Sequence, residues 1–477
     1  MVLIVEEKNL SDQKKVNIIS SLGENIVFCS PDHIECVLSE VVVFADIYFE
    51  ALSFCLIKGL EIQFLYGDKL LSRLDIDKIK SLQENLLREK NYIEVKKLNL
   101  MTIFLEVCGK RSVLSSLPTH LQLEHTTFCN ARCIMCDHYV SHNRGSKHLR
   151  VSTVHQLKSI LPYVSLIIMH GNGEPFLNPA IVEILELYKQ YEVRISTNTN
   201  LSYINDDICL ELNQMCEGLQ ISCDACDKET YEGIRQGLSF DTFCDNLDRI
   251  MSLSEIKRIS LEVDLMQQNI RQAKDIVAFA HSYGIKTVRF HDLGVNGVLH
   301  NESYSLRHCS DIANKYISQA KEAGAQLGVL VKAPVYDAVG FDSDEAVLYS
   351  VFPGACISDE MHQKYGWYTN QIGINQLSSS DLAGYQNQCA GICEYPFAKS
   401  YMDLNGNVSV CCPSSRKVVG HVSSMEDFEQ LWNSQTMIRI RDLFYAGMIP
   451  SFCKSCFMMS ENSLSWIKHR EEKHEFH

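Results

Sequence analysis

The segment EHTTFCNARCIMCDHY places Cys129, Cys133 and Cys136 at C-x3-C-x2-C spacing within one short stretch. Three thiolates on one loop can bind three irons of a 4Fe-4S cluster; most such clusters recruit a fourth cysteine, so this set leaves one iron open to another ligand. Zinc is the competing chemistry. It takes four ligands, typically at C-x2-C spacings, and here would need a partner such as His125 or His138. A second set lies near the other end of the chain. Cys393 and Cys411 flank DLNGNVSV, whose Asn405-Gly406 pair suits a hairpin turn with φ > 0 that brings both thiols toward one point, and Cys453 and Cys456 complete four ligands. Four thiolates would close a cluster and make it an electron acceptor or a structural element, although a four-cysteine zinc ribbon shares this spacing. Cys389 and Cys412 are spare candidates for the set. Cys223 and Cys226 form a further C-x2-C that reads as buried thiols, and no role is legible for Cys356.

The elements that must position these cysteines follow from the hydrophobic pattern. Strand-like runs at 120–127, 165–171, 192–198, 218–224, 259–266 and 286–293 alternate with helix-like stretches. One of these, at 178–191, sets Ile181, Ile184, Leu185 and Tyr188 on one face behind an Asn178 cap and Pro179. Six β-α units predict an α/β fold, a parallel sheet curled into a partial (β/α)6 TIM-like barrel, with function at the carboxyl ends of the strands. The first cysteine set directly follows the first strand. Residues 1–112 read as an N-terminal α/β accessory region of unknown role, with strands at 60–67 and 102–109 and a helix at 75–91. The barrel core is expected over 118–330, including a helix at 303–324. An irregular linker or substrate-covering insertion follows at 331–388, and a small cysteine-rich iron-sulfur domain at 389–465.

A C-x3-C-x2-C array after the first barrel strand resembles the radical S-adenosylmethionine (SAM) superfamily, and further motifs follow in the order that family shows. HGNGEP at 170–175 is similar to its glycine-rich element, which implies that Gly171, Asn172, Gly173, Glu174 and Pro175 contact the methionyl amino group of SAM. Glycines allow close backbone approach, and a carboxylate suits an ammonium. By the same resemblance Ser196, Thr197 and Asn198 take the place of ribose-facing residues, and Ser222 and Asp224 that of a Ser-x-Asp pair with a later arginine, Arg235. Alternation would put Ser222 and Asp224 on one face. Arg235 would meet a carboxylate, on SAM or in the protein, or form a surface ion pair. Met135 stands where an aromatic residue usually precedes the third cysteine, and is read as an apolar filler on the adenine side. The C-terminal set, with its Gly-x4-Cys hairpin and the helix bearing Trp432 and Arg441, resembles the SPASM extension of these enzymes. The lack of further cysteines after Cys456 implies one auxiliary cluster.

The resemblance implies an enzyme with two 4Fe-4S clusters and SAM as cofactors. An external one-electron donor of flavodoxin or ferredoxin type reduces the first cluster, SAM is cleaved to a 5'-deoxyadenosyl radical, and a substrate hydrogen is abstracted. The expected outcome is net oxidation, by dehydrogenation or bond formation, of a small metabolite. Two alternatives stand beside it: a maturase of a ribosomally made peptide, forming a thioether, a C-C crosslink or an epimer, and a non-catalytic zinc-binding protein. Composition limits the partners. The 477 residues are 46% hydrophobic, ample for several cores, and carry a formal charge of -15, which disfavours nucleic acid because phosphate binding depends on Lys and Arg. The start MVLIVEEKNLSDQKK lacks a secretory pattern, and no uncharged run of membrane-spanning length stands out. A cytoplasmic protein without a membrane partner is expected.

Overall fold

A computed structural model of the chain describes residues 75–136, 147–253, 256, 258–293, 304–336, 393–411, 417–422 and 425–453, together with strand segments at 2–5, 26–28, 61–66, 69–71, 375–376 and 384–386. Its centre is a run of seven parallel strands. The first is His120–Leu123, the second Leu166–Ile168, the third Arg194–Thr199 and the fourth Cys216–Ser222; Ile259–Leu265, Thr287–Asp292 and Leu330–Lys332 are the fifth, sixth and seventh. They neighbour one another in chain order, the arrangement that helical crossovers of one hand produce. The expected six strands are therefore present with a seventh added.

The helices between them include Ile181–Gln190, Asp206–Met215, Phe240–Leu253, Ala273–Ser282 and Ser310–Leu327. Alternation decides what they cover. In the third and fourth strands Ile195, Leu219 and Ile221 are fully buried, as are Val263 in the fifth and Val288 in the sixth; they share one core with Ile184, Leu185, Leu212, Leu247 and Ile276 of the helices. All four residues assigned to the inward face of the 178–191 helix are buried. That helix starts at Ile181, because Asn178 is occupied elsewhere: its Oδ1 accepts from Ala180 N at 2.9 Å, and its Nδ2 donates to the carbonyls of His125 and Leu149.

Two expectations change. The run read as a strand at 102–109 is the end of a helix, Tyr92–Cys108, capped by Asn91, whose Oδ1 accepts from Glu94 N. Residues on all its sides are buried, so the helix shows no apolar stripe for a sequence pattern to reveal. It packs on the barrel as well as on the accessory helix Ile76–Arg88 and strand Glu61–Tyr66. Lys96 donates to the carbonyls of Tyr191 and Glu192 at 2.7 and 2.6 Å, burial pulling its pKa down to about 7, and Asn99 exchanges hydrogen bonds with Leu117. The accessory strands Val2–Val5, Ile26–Phe28 and Glu61–Tyr66 pair in parallel, with Lys69–Leu71 antiparallel at the edge.

The second change concerns the C-terminal hairpin. Lys399–Met402 pairs in parallel with the first barrel strand, Lys399 opposite His120 and Met402 opposite Leu123, and antiparallel with Asn407–Ser409. The cysteine-rich region thus continues the barrel sheet. Arg441 and Trp432 secure it. The Arg441 guanidinium, fully buried 4.8 Å from the Trp432 ring, donates to the carbonyls of Pro396, Ser112 and Trp432, and Trp432 Nε1 donates to Ser116 O. From the 331–388 stretch, Asn375–Gln376 and Gly384–Gln386 pair with strands of this C-terminal region.

Candidate active site

The loop that carries the first cysteines leaves the first strand at its carboxyl end and is held from three directions. On one side Arg132–Cys133 pairs antiparallel with Arg235–Gln236, and Ile134 N donates to Ile234 O at 3.0 Å. On the second, Glu174 N donates to Phe128 O at 2.9 Å, and Gly173 lies so close that a Cβ there would meet the carbonyl oxygens of Phe128 and Thr126 at 2.5 Å. On the third, Asn200 Nδ2 donates to Cys129 Sγ at 3.7 Å and to Asn130 Oδ1 at 3.4 Å. The loop itself is closed by Cys136 N donating to Cys133 O.

Cys133 is buried and Cys129 and Cys136 are half-buried. Burial pushes the Cys129 thiol up to about 11 and Cys133 to about 12, and the three sulfurs lie near enough to raise one another further. Three desolvated thiols that repel as anions want a cation between them, and two of them already receive N–H donors. Three cysteines on one loop, two of them with an N–H donor at sulfur, are the donor chemistry an iron-sulfur cluster takes, while no three Cys, His, Asp or Glu side chains among the described residues converge as for a single metal ion. His125, a possible zinc partner, faces elsewhere: Nδ1 meets Leu123 O at 2.7 Å and Nε2 meets the Tyr188 hydroxyl at 3.0 Å, with burial holding the ring neutral. His138 lies outside the described residues.

Around the mouth the expected SAM contacts divide. Gly171 is exposed, Asn172 half-buried, and Asn198 and Ser196 present polar atoms on the accessible face of the third strand; Ser222 does the same on the fourth. Thr197 does not share that face: it is fully buried and donates to Met169 O at 3.1 Å. Glu174 is also turned inward. Its carboxylate accepts from Thr199 Oγ1 and Asn200 N, both at 2.7 Å, and from Phe176 N at 3.4 Å, while burial pushes it up to about 7. It braces the end of the third strand, with Pro175 buried beside it. A carboxylate so used has little left for an ammonium. Asp224 departs likewise. The fourth strand ends at Ser222, so the alternation does not carry forward, and Asp224 is fully buried in an ion pair with Arg235 at 2.7 Å. The carboxylate that Arg235 meets is the protein's own.

Met135, read as an apolar filler, is half-buried against the cluster Ile234, Met266 and Leu293. Two residues escaped the sequence reading. Glu124 accepts from both the backbone N and the Nδ2 of Asn172 and so fixes the glycine-rich loop, and Asn200 reaches Cys129. Across the mouth, Glu262 of the fifth strand accepts from Arg289 and His291 of the sixth, both at 2.6 Å. Cys223 is fully buried with its Sγ on Ala225 O, and Cys226 Sγ lies on Gln272 Oε1.

In the second set the hairpin between Cys393 and Cys411 forms as expected, Lys399–Met402 pairing antiparallel with Asn407–Ser409. Asp403 accepts from the N–H groups of Asn405, Gly406 and Asn407, and Gly406 takes φ +84°, with a Cβ there only 2.6 Å from Val422 O. Burial drives the Cys393 thiol well up, and Cys411 and Cys453 push it further. Cys389, Cys412, Cys356 and Cys456 lie outside the described residues.

Comparison with known proteins follows the same division. Residues 123–296 match the Radical SAM superfamily, and residues 393–457 match the SPASM iron-sulfur cluster-binding domain. The mycofactocin maturase MftC of Mycobacterium ulcerans (strain Agy99) is 25% identical over 176 residues, which are 35% of this chain and 45% of that protein, so the match spans less than half of the relative. Among solved structures, SuiB of Streptococcus suis bound to S-adenosylmethionine is 16% identical over 73% of each chain with a TM-score of 0.47. Native anSMEcpe with bound AdoMet and a Cp18Cys peptide is 14% identical over 72% of this chain and 87% of that one, with a TM-score of 0.45.

Proposed function

We propose that this chain, which carries a radical SAM domain and a C-terminal SPASM domain, is a radical SAM enzyme that modifies a polypeptide substrate at the mouth of its barrel. The cofactors of these domains are 4Fe-4S clusters and SAM. The observation that carries the reading is the seating of Cys129, Cys133 and Cys136 on one loop at the carboxyl end of the first strand, two of the thiols each facing an N–H donor. The preference for a polypeptide over a small metabolite rests on the relative named a maturase, and it takes up the maturase alternative of the sequence reading in place of the small-metabolite one.

Cluster and cofactor together supply one-electron cleavage of SAM and abstraction of a substrate hydrogen atom. The chain's own residues do the rest. Cys129, Cys133 and Cys136 would hold three irons. The loop bearing Gly171 and Asn172 is fixed by Glu124, which leaves its exposed backbone facing the mouth. Ser196, Asn198 and Ser222 offer hydroxyl and amide groups on the accessible face of the sheet, suited to a ribose and an amino acid end. Met135 and its apolar neighbours shield one flank from water. In the second set Cys393, Cys411, Cys453 and Cys456 would ligate an auxiliary cluster, with the first electron coming from an external flavodoxin- or ferredoxin-type donor. Among the described residues no helix is long and apolar enough to cross a membrane.

Anaerobic reconstitution tests this. About eight irons per chain are expected from one three-thiolate and one four-thiolate set, and the Cys129→Ala, Cys133→Ala, Cys136→Ala triple variant should keep about half of them and form no deoxyadenosine. Persistent cleavage of SAM in that variant would refute the site. For the substrate, a short peptide encoded beside the gene should change mass when incubated with reduced enzyme and SAM. An unchanged peptide, with SAM turnover stimulated instead by a small metabolite, would refute the polypeptide reading.

A further inference from the structure

Arg235 links the cysteine loop to a buried acid. It is only 7% exposed; Nη1 donates to Cys133 Sγ at 3.9 Å, and Nη2 lies 2.7 Å from Asp224 Oδ2. Both ends are fixed. Arg235 is the strand partner of Cys133, so its backbone cannot drift from the loop. Asp224 accepts from Asp264 N at 2.8 Å, and Asn269 Nδ2 donates to the carbonyls of Asp224 and Asp264. Burial works against the Arg235 charge, and the Asp224 carboxylate beside it restores it, so the guanidinium stays protonated.

A buried ion pair is a poor source of stability, because desolvating two charges offsets their attraction. This one has a direction. Its cationic end is at the sulfur of a proposed cluster ligand, and its anionic end is on the far side of the guanidinium. Reducing a cluster adds negative charge, which a fixed positive charge and N–H donors to the sulfur stabilise; hydrogen bonds to cluster sulfurs and burial are the protein's means of setting the potential. We propose that Arg235 is a positioning residue that raises the reduction potential of the cluster held by Cys133, and that Asp224 limits that rise. This rests on the reading of Cys129, Cys133 and Cys136 as cluster ligands. It also removes Arg235 from the contacts to SAM.

The test is an electron paramagnetic resonance redox titration of the full chain, reconstituted anaerobically, following the reduced signal that changes on adding SAM. Arg235→Gln should lower the potential by at least a tenfold change in the oxidised-to-reduced ratio, about 59 mV for one electron. Arg235→Lys, which keeps the charge and loses the fork, should lower it less. Asp224→Asn leaves the guanidinium uncompensated and should raise the potential. Opposite signs for the two partners are the result that a purely structural role does not produce. Shifts of the same sign, or none, in chains that keep the SAM-responsive signal would overturn the inference and leave the cluster standing. Absence of a SAM-responsive signal in the unsubstituted chain would remove the cluster reading and the inference with it. If Arg235→Gln does not fold, Asp224→Asn and Arg235→Lys decide by the same signs.

Discussion

Replacing Gly173 by alanine tests whether the glycine-rich loop serves to seat the cysteine loop. A Cβ at Gly173 would lie 2.5 Å from both the Phe128 and the Thr126 carbonyl oxygens, against an ordinary contact of about 3.5 Å. Both obstacles are backbone of the segment leading into Cys129, so about 1 Å of relief must come from moving that segment. Overpacking of a tight site costs about 1–3 kcal/mol, and with backbone as the obstacle the upper end applies. At about 2–4 °C per kcal/mol for a unit of this size, the melting temperature should fall by about 6–12 °C, and bound iron should fall by the share of the first cluster. Two other glycines calibrate the result. At Gly171 a Cβ meets the side chain of Glu124, Cγ at 2.6 Å, and moving that buried side chain gives up its two bonds to Asn172, so a cost of about 1–3 kcal/mol with iron retained is expected. At Gly233, in the helix Lys228–Ile234, nothing lies within 4 Å, and alanine should stabilise by about 0.5–1 kcal/mol through helix propensity. The assay is thermal unfolding with iron analysis of the three variants. A Gly173→Ala protein as stable as Gly233→Ala, with full iron, would refute the packing argument.

Other outcomes follow from the same geometry. Asn200→Ala removes the N–H donor to Cys129 and should speed iron loss to a chelator by about 10-fold or more; an unchanged rate would separate Asn200 from the cluster. Trp432→Phe leaves the buried Ser116 carbonyl without its donor and should cost about 1–3 kcal/mol by denaturant unfolding, and no loss would mean that the sheet junction does not depend on that bond. The Glu262–His291 pair gives a pH signature. The hydrogen bond that His291 donates to Glu262 raises His291 above 6.5, with Asp264 adding to it and burial and Arg289 opposing. Glu262, despite burial, is held below 4.5 by His291, Ser260 and Arg289. The histidine contribution is full below pH 6.5 and lost as pH rises through its folded value; that of the glutamate is full above 4.5 and lost as pH falls. Stability from the pair should peak between those values. A nuclear magnetic resonance titration in which Glu262→Gln fails to lower the His291 pKa would count against it.

What was legible in the sequence was local. Cys129, Cys133 and Cys136 are close in the chain, so spacing alone placed them together, and Gly406 stated its own turn through its need for φ > 0. Readings that depended on where a strand stops were not legible. Asp224 shares a parity with Ser222, yet the strand ends between them and Asp224 turns into the protein to meet Arg235. The Tyr92–Cys108 helix was hidden for a different reason: burial on all sides makes its sequence apolar all round, and periodicity is the signal that reveals a helix. Glu124 and Asn200 each carried a faint mark, a charged or amide side chain at a strand end that the core would reject unless it were bonded. Their partners, in the glycine-rich loop and the cysteine loop, came from other strands, and no single segment contains that information.

The junction at the first strand bears on what the second cysteine set can do. Lys399–Met402 runs parallel to His120–Leu123, so Cys393, which precedes Lys399, belongs to the amino-terminal edge of the sheet, whereas Cys129 follows the carboxyl-terminal edge. Asn407–Ser409 returns antiparallel, with Ser409 opposite Tyr401, and delivers Cys411 to the same amino-terminal edge as Cys393. Four residues of strand lie between the two edges, about 13 Å at about 3.3 Å per residue. A cluster held by the second set would therefore stand at least a strand length from the first, too far for both to share one substrate atom. That distance favours four-thiolate ligation, with the second cluster passing or accepting electrons or holding the fold, over direct binding of the substrate.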